Sequence, residues 1–226
     1  MHDFEIPQAY VDRVTTRQGR PHLVENLQAA RTALLVVDMQ NYYMAEGQQA
    51  ACAMAREIVP RVNRLAAAMR AAGGLVVWLQ NRAPWGSLES WSVAGDLFLP
   101  EKRELRWQSL QEDAFGFALW PEMEVHDADA RVVKERFSAF IQGSSNLQAL
   151  LGERGIDTAL VAGVYTNVCC DSTARDAMML NFRTLMVSDG CAASTDAEHG
   201  AALCNFYLTF GDVQTSDEVI ALLDAS

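Results

Sequence analysis

Three reactive side chains each stand at the end of an apolar run that has the composition of a buried β-strand. Asp38 follows ALLVV, Lys134 follows ARVV, and Cys169 comes shortly after TALVAGV. A thiol can attack an acyl carbon, while a carboxylate takes up the thiol proton and returns it to a leaving amine. An ammonium can hold that carboxylate and stabilise charge near the thiolate. Each residue alone has an ordinary structural explanation, but together they predict acyl transfer through a thioester, followed by attack of water.

The stretch GVYTNVCC, from Gly163 to Cys170, contains the residue types that a nucleophile at a helix start requires. Gly163 permits an irregular backbone where the strand ends, and Thr166 and Asn167 are types favoured at helix N-caps. We therefore expect Cys169 in the first helical turn, where free N–H groups and the helix dipole lower a thiol pKa and can bind an oxyanion. Cys170 lies about 100° further round the helix, so we expect it to face the core.

Two other interpretations of the adjacent cysteines are open at this level: inert packing thiols, or a redox pair that closes reversibly to a disulfide. The chain has five cysteines, and an odd number without a secretory signal favours reduced thiols. The four histidines, His2, His22, His126 and His199, stand at no predicted strand end. A cysteine–histidine pair is therefore not expected.

The elements that must position these side chains alternate between strands and helices. Buried strands are predicted at residues 32–40, 75–81, 130–137, 158–164 and 183–189, with a short last strand from residue 212. Helices are predicted at 51–74, 146–155, 165–181, 197–210 and 216–225. This alternation predicts an α/β fold with a parallel sheet and helices on both faces. In such a sheet ligands bind beyond the carboxyl ends of the strands, where the three reactive residues stand.

The chain length fits one domain, so we expect residues 1–226 to form a single unit. Residues 1–30 are predicted to be an irregular or partly helical N-terminal arm. Residues 82–127 contain four of the five tryptophans without a clean periodicity. Connections of this length are usually functional or disordered, and the aromatic content argues against disorder. We expect an ordered excursion that covers the site or forms an oligomer contact.

Charge and hydropathy exclude several classes of protein. The formal net charge is −11, and without a basic patch nucleic-acid binding is not expected. No apolar run approaches the roughly 18–20 residues of a membrane span, and the polar N-terminal stretch has no secretory h-region. These features predict a cytoplasmic protein with a small-molecule partner, without nucleic acid or membrane.

Three stretches together resemble the isochorismatase-like cysteine hydrolases: LLVVDMQNYY, VVKERFSAF and GVYTNVCCDSTARDA. The similarity runs from about residue 32 to 222, and the ureidoacrylate and biuret-type amidohydrolases look closest. The resemblance implies a six-stranded parallel sheet, a catalytic triad of Asp38, Lys134 and Cys169, and hydrolysis of a C–N bond. It also implies a cis peptide between Val164 and Tyr165, with the amides of Tyr165 and Cys169 forming the oxyanion hole.

The resemblance also suggests residues that bind the substrate. These are Asn41, Tyr43, Trp78, Gln80, Asn81 and Arg82. If the substrate carries a carboxylate, Arg82, Arg106 or Arg136 could pair with it. Nicotinamidases of the family hold a metal with Asp and His after the second strand, but no histidine follows that strand here, so neither a metal nor another cofactor is expected. Isochorismatases proper lack the nucleophilic cysteine, so Cys169 argues against vinyl-ether cleavage.

The resemblance therefore implies an amidohydrolase for a small ureido or carbamoyl compound such as ureidoacrylate, biuret or triuret, releasing ammonia or carbamate. An amidase for another carboxamide, such as maleamate or an N-carbamoyl amino acid, is one alternative. A non-catalytic interaction module that uses the aromatic excursion as an interface is another. The family likeness also implies a homo-oligomer, either a dimer or a tetramer.

Overall fold

A six-stranded, fully parallel sheet forms the centre of the molecule in the computed structural model, which describes residues 2–83 and 91–224. The strands are β1 (Thr32–Val37), β2 (Leu75–Asn81), β3 (Ala130–Lys134), β4 (Thr158–Val164), β5 (Arg183–Ala192) and β6 (Asp212–Gln214). Their spatial order is β3-β2-β1-β4-β5-β6. The predicted α/β class and parallel sheet are confirmed.

Ten α-helices are formed by the described residues. They are α1 (Gln8–Gln18), α2 (Asn41–Met44), α3 (Ala53–Glu57), α4 (Val59–Ala71), α5 (Ser92–Asp96), α6 (Pro100–Ser109), α7 (Leu147–Glu153), α8 (Asp171–Met179), α9 (Asp196–Thr209) and α10 (Ser216–Asp224). A short 3-10 turn, Ala29–Arg31, leads into β1, and a π-helical turn, Thr166–Cys170, precedes α8.

The sheet is covered on both faces, and this explains why its central strands are apolar along their whole length. All residues of β1 and β4 are buried, as expected for parallel strands packed between two helical layers. One layer contains α3, α4 and α10, with Leu65 and Leu223 in its core. The other contains α1, α7, α8 and α9, with Leu151 and Phe206 in its core.

Several predicted elements have different bounds in the structure: β1 ends at Val37 and not at 40, and β3 ends at Lys134 and not at 137. The helix expected at residues 51–74 is broken at Ile58, so that α3 ends and α4 begins with Pro60 in its first turn. Proline fits the first turn because its missing N–H has no partner there. β5 continues to Ala192, three residues beyond the predicted end at 189.

The N-terminal arm contains α1 and then runs along the edge strand β6. The main-chain N–H of Val24 donates to Asp212 Oδ2 at 2.8 Å, and Gln214 Nε2 donates to the Val24 carbonyl at 2.7 Å. Pro21 accepts a hydrogen bond from the Tyr207 hydroxyl at 2.7 Å. These contacts cover an edge that would otherwise expose unpaired main-chain groups.

The excursion is ordered where the structure describes it, and it lies against the carboxyl end of β1. Residues 115–120 run antiparallel to residues 39–42: Asn41 N–H donates to the Ala118 carbonyl and Trp120 N–H to the Met39 carbonyl. A bridge pairs Gln40 with Leu119. Whether the excursion covers the site or forms an oligomer contact stays a prediction, and residues 84–90 of it lie outside the described residues.

Candidate active site

Asp38, Lys134 and Cys169 meet at the carboxyl edge of the sheet. Asp38 directly follows β1, Lys134 ends β3, and Cys169 lies in the turn after β4. Lys134 Nζ lies 2.9 Å from Asp38 Oδ2, and both side chains are 0% exposed. Nζ also donates to the Arg136 carbonyl at 3.1 Å. Three separate strands thus deliver an ammonium, a carboxylate and a thiol to one buried place.

The backbone of Asp38 makes a sharp exit from β1. Its φ is +52°, in the left-handed region that Asp and Asn enter more easily than other non-glycine residues. Its N–H still donates to the Leu79 carbonyl of β2 at 2.9 Å, so the main chain is anchored to the sheet at this point. The carboxylate is therefore held on a rigid part of the fold.

The turn that carries Cys169 depends on an unusual backbone between β4 and α8. Gly163 has φ +120°, and a Cβ placed there would lie 2.1 Å from the Val37 carbonyl oxygen of β1. The peptide between Val164 and Tyr165 is cis, as expected from the resemblance. The N–H groups of Val168 and Cys170 both donate to the Tyr165 carbonyl at 3.1 Å.

The predicted helix caps of this turn are wrong. Tyr165 occupies the N-cap position and makes no side-chain cap. The hydroxyl of Thr166 instead pairs with His199 Nδ1 at 2.9 Å, inside the protein. Asn167 is not used as a cap either. The π-helical turn begins one residue earlier than a cap at Thr166 would allow, but Cys169 still lies at the helix start.

The pKa of the Cys169 thiol is raised, contrary to the expectation of a lowered pKa. Burial raises the pKa of the Cys169 thiol to about 12, and the nearby Asp38 carboxylate raises it as well. Lys134 and Arg106 act in the opposite direction but do not outweigh burial.

The Asp38 carboxyl is the acidic group beside this thiol. Burial raises the pKa of the Asp38 carboxyl, while the Lys134 ammonium and the Cys169 thiol, which is within hydrogen-bonding range, lower it. Burial opposes the charge of Lys134, but the Asp38 carboxylate outweighs it, so the pKa of Lys134 is raised and the ammonium stays charged. The two opposite charges thus stabilise each other in a fully buried place.

Cys170 is a packing residue, as expected. It is fully buried in the core layer beneath α8, and burial raises the pKa of its thiol well above the ordinary value. Its thiol partner is Cys191 of β5, which donates to the Val161 carbonyl at 3.5 Å. All five cysteines are free thiols.

Sequence reasoning assigned no role to His199, but its side chain hydrogen-bonds to Thr166 in the turn that carries Cys169. Its ring stacks on His2, with centroids 4.2 Å apart, and burial lowers the pKa of His199 to about 3. His2 Nδ1 lies 2.6 Å from Asp196 Oδ1 and its Nε2 accepts the N–H of Ala193. The contact of His199 with Thr166 joins two distant segments, so no local pattern in the sequence signals it.

Asn41, Tyr43 and Asn81 are brought together beside the triad. Asn81 is paired with Lys134 in the register of β2 and β3, and its Nδ2 donates to the Tyr43 hydroxyl at 2.6 Å. Burial raises the pKa of Tyr43 well above its usual value, so the hydroxyl stays protonated. Asn41 Nδ2 donates to the Phe115 carbonyl at 2.9 Å, which leaves its buried Oδ1 free.

Trp78 and Gln80 are not at the site. Trp78 is 0% exposed within a core layer, where its Nε1 donates to Asp129 Oδ2 at 2.8 Å. Its expected place in the pocket is wrong, because the residue lies three positions before the end of β2 and its ring points into the core. Gln80 Nε2 donates to the Phe117 carbonyl at 3.0 Å and so anchors the excursion.

Gln40, which sequence reasoning missed, joins three segments at the site. Its Nε2 donates to the carbonyls of Asn81 and Phe117, and its Oε1 accepts the Asn81 N–H at 2.7 Å. A fully buried glutamine needs all of these partners. The only feature of the sequence that pointed to Gln40 was its position two residues after Asp38, beyond the end of an apolar strand.

A cleft lies between the end of β2 and helices α5 and α6, and Asp38, Lys134 and Cys169 are not among the residues that line it. Six of the residues that line it are Asn81, Arg82, Trp91, Phe98, Arg106 and Phe137. Asn81 connects this cleft to the buried triad through its contacts with Tyr43 and its pairing with Lys134. The cleft is therefore the candidate substrate site.

The three arginines considered for a substrate carboxylate differ in their surroundings. Arg82 already pairs with Glu112 and Glu135. Arg136 lies over the Trp91 ring, with Cζ 5.1 Å from the centroid. Arg106 reaches from α6 toward the triad.

Within residues 2–83 and 91–224, no group of three or more His, Cys, Asp or Glu side chains is arranged to hold a metal ion. In the same residues no helix has the length and apolarity needed to cross a bilayer.

Comparison with known proteins places these features in one family. The isochorismatase domain model matches residues 32–218. A ureidoacrylate amidohydrolase RutB from Stutzerimonas stutzeri strain A1501 is 32% identical over 205 residues, which cover 84% of this chain and 82% of that protein. The RutB of Variovorax paradoxus strain S110 is 33% identical over 208 residues, covering 86% and 82%.

Solved structures agree with these sequence relatives. A cysteine hydrolase from Pseudomonas syringae pv. phaseolicola 1448A superimposes with a TM-score of 0.82 at 26% identity, over 92% of this chain and 99% of that one. An N-carbamoylsarcosine amidase from Thermoplasma acidophilum has a TM-score of 0.66 at 26% identity, over 83% and 97%.

Proposed function

The chain belongs to the isochorismatase family, and from this premise we propose that it is a cysteine-dependent amidohydrolase that cleaves a C–N bond of a small ureido or carbamoyl compound. The observation that carries the proposal is the buried contact of Lys134 with Asp38, 2.9 Å long, beside the thiol of Cys169. The curated relatives with ureidoacrylate amidohydrolase activity in their names support the substrate class.

In the proposed reaction, Cys169 Sγ attacks the carbonyl carbon while its proton passes to Asp38. The thiol pKa of about 12 makes this transfer unfavourable before substrate binds, so attack and proton transfer occur together. The main-chain N–H groups of Tyr165 and Cys169 bind the oxygen as it becomes negative, as preorganised donors do in oxyanion holes.

Collapse of the tetrahedral intermediate then breaks the C–N bond. Asp38 returns the proton to the departing nitrogen, and the acyl group remains on Sγ as a thioester. The nitrogen leaves at this stage as ammonia or an amine. A water molecule then attacks the thioester and gives a proton to Asp38, which passes it to the departing sulfur, so that the acid product, such as a carbamate, is released and the thiol is restored. Lys134 remains charged throughout and holds the Asp38 carboxylate in place.

The test is turnover of a substrate panel with matched cysteine variants. Ureidoacrylate, biuret, triuret, maleamate and N-carbamoyl amino acids are incubated with the protein, and ammonia is measured. Cys169→Ala should lower the rate on any responding substrate by at least about 10³-fold. Cys170→Ala, which alters the adjacent packing thiol, should keep most of the activity. Full turnover by Cys169→Ala would show that the nucleophile is assigned wrongly.

An N-carbamoyl amino acid is the second candidate substrate, because the N-carbamoylsarcosine amidase is among the similar structures. The two candidates differ in the group attached to the ureido nitrogen, which is unsaturated in ureidoacrylate and a substituted methylene carbon in an N-carbamoyl amino acid. The ratio of kcat/KM for the two compounds decides between them.

We also propose that the chain acts as one hydrolase domain within a homo-oligomer. Exposed apolar side chains lie on α5 and in the short connection to α6, namely Val93, Leu97 and Leu99. Exposed apolar groups of this kind are typical of association surfaces. Light scattering of the purified protein measures the mass. A monomer at micromolar concentration would contradict this proposal.

A further inference from the structure

Arg106 is the charged group of the excursion that reaches the catalytic edge of the sheet. It lies in α6, and its Cζ is 5.6 Å from the centroid of the Tyr42 ring and 5.9 Å from that of Phe98. The guanidinium also hydrogen-bonds to the Tyr42 hydroxyl. Aromatic faces can hold a guanidinium by cation–π attraction and leave the edge with its N–H groups free.

The charge of Arg106 is directed at the triad and not at a neighbouring acid. It lowers the pKa of both Asp38 and Cys169, although burial and Lys134 act more strongly on them. Arg82, which lines the same cleft, is neutralised by two glutamates. In residues 2–83 and 91–224, no Asp or Glu side chain forms an ion pair with Arg106.

A cation drawn out of water needs a compensating anion, because desolvation without a partner is costly. The cleft supplies room for one next to Arg106, between Asn81, Trp91 and Phe98. A planar carboxylate matches the fork of the guanidinium N–H groups in a bidentate pair. A substrate carboxylate therefore fits the part of the cleft beside Arg106.

We propose that Arg106 binds the carboxylate of the substrate, so that the enzyme selects anionic ureides over neutral ones. This inference rests on the proposed amidohydrolase function and adds its charge preference. The reacting carbonyl is held at Cys169, and the carboxylate at the other end of the molecule lies against α6. Arg106 is thus a specificity-determining residue contributed by the excursion.

The first test compares an anionic and a neutral substrate. In Arg106→Gln, kcat/KM for ureidoacrylate should fall about 10- to 100-fold, the usual range for a lost charged hydrogen bond. The value for biuret, which has no carboxylate, should change less than about 3-fold. Lys102→Gln removes the same charge from the exposed face of the same helix and should leave both values unchanged.

The second test uses the thiol and requires no turnover. Iodoacetate and iodoacetamide differ in having a carboxylate or a neutral amide, and mass spectrometry gives their rates of reaction with Cys169. The iodoacetate to iodoacetamide ratio should fall at least about 5-fold in Arg106→Gln and stay constant in Lys102→Gln. If no ureide is hydrolysed by the wild-type protein, the proposed function fails, while this ratio still decides the role of Arg106.

Folding of each variant is checked by thermal melting. If Arg106→Gln does not fold, Arg106→Lys replaces it, because lysine keeps the charge and loses the bidentate fork. That variant should retain the alkylation ratio but lose at least about 5-fold in kcat/KM for ureidoacrylate relative to biuret. A folded variant with unchanged substrate preference and unchanged alkylation ratio would overturn the proposal.

Discussion

Replacing Lys134 by methionine should destabilise the protein through Asp38, which then remains buried without its counter-ion. Lys134 Nζ and Asp38 Oδ2 are 2.9 Å apart, and both side chains are 0% exposed. Two unit charges about 4 Å apart interact by about 4 kcal/mol at an effective dielectric constant of 20. Breaking a buried pair by removing one partner costs about 3–5 kcal/mol. For a chain of this size the melting temperature should fall by roughly 6–20 °C.

The loss should depend on pH, and its sign follows from Asp38. Burial raises the pKa of this carboxyl and Lys134 opposes that rise, so the folded-state pKa lies further above the unfolded value of about 3.9 in Lys134→Met. Between these two values the folded state binds more protons than the unfolded state. The free energy of unfolding therefore falls as pH increases above about 4, by up to about 1.4 kcal/mol per pH unit. The deficit should be smaller at pH 5 than at pH 8.

Urea unfolding followed by tryptophan fluorescence measures these free energies at both pH values. The double variant Asp38→Asn, Lys134→Met serves as the control, because it removes both charges and asparagine tolerates the left-handed backbone of position 38. It should recover most of the stability lost by the single variant, though it should have no activity. A loss below about 1 kcal/mol at pH 8, or an equal loss at both pH values, would refute the electrostatic reasoning.

Three further predictions concern the turn and its surroundings. Alkylation of Cys169 by iodoacetamide should accelerate about tenfold per pH unit from pH 7 to 10, because its pKa is about 12; a plateau near neutral pH is the contrary result. Gly163→Ala should not fold, since the added Cβ would meet a main-chain oxygen of β1 at 2.1 Å, whereas Gly152→Ala, with nothing within 4 Å, should melt at the same or a higher temperature. Thr166→Val removes the hydroxyl that pairs with His199, so the free energy of unfolding measured in urea should fall by about 1–3 kcal/mol. Its kcat should be reduced by a larger factor than its KM is raised. Thr166→Ser keeps the hydroxyl and should have wild-type stability and kcat; equal effects of the two substitutions would contradict a role for the hydroxyl.

The strands and the three reactive residues could be predicted from the sequence because the relevant signals are local. β2 and β4 have the predicted bounds, since continuous apolar runs of this length suit only strands buried on both faces. Asp38, Lys134 and Cys169 were singled out because they stand where these runs end, and parallel strands end at one edge of the sheet. Their mutual proximity therefore follows from the α/β class alone.

Contacts between distant segments could not be predicted in this way. The family resemblance suggested Trp78 for the pocket, but the register of β2 turns its ring into the core, where it contacts Asp129. Thr166 is a residue type favoured at helix N-caps, but in the folded protein its hydroxyl hydrogen-bonds to His199. In both cases the side chain contacts a residue far away in the chain, Asp129 for Trp78 and His199 for Thr166, and the sequence near each residue does not indicate that contact.

The state of the nucleophile was also decided by the tertiary structure. The sequence by itself determined the fold class, the edge of the sheet at which the candidate site lies, and the choice of Cys169 as the thiol of that site. A helix start by itself lowers a thiol pKa, but at Cys169 desolvation by burial outweighs that effect and raises the pKa. Likewise, only packing distinguishes Arg106, directed at the triad, from Arg82, which two glutamates neutralise. Burial and charge compensation depend on what surrounds a group in space, and neighbours in the sequence do not specify those surroundings.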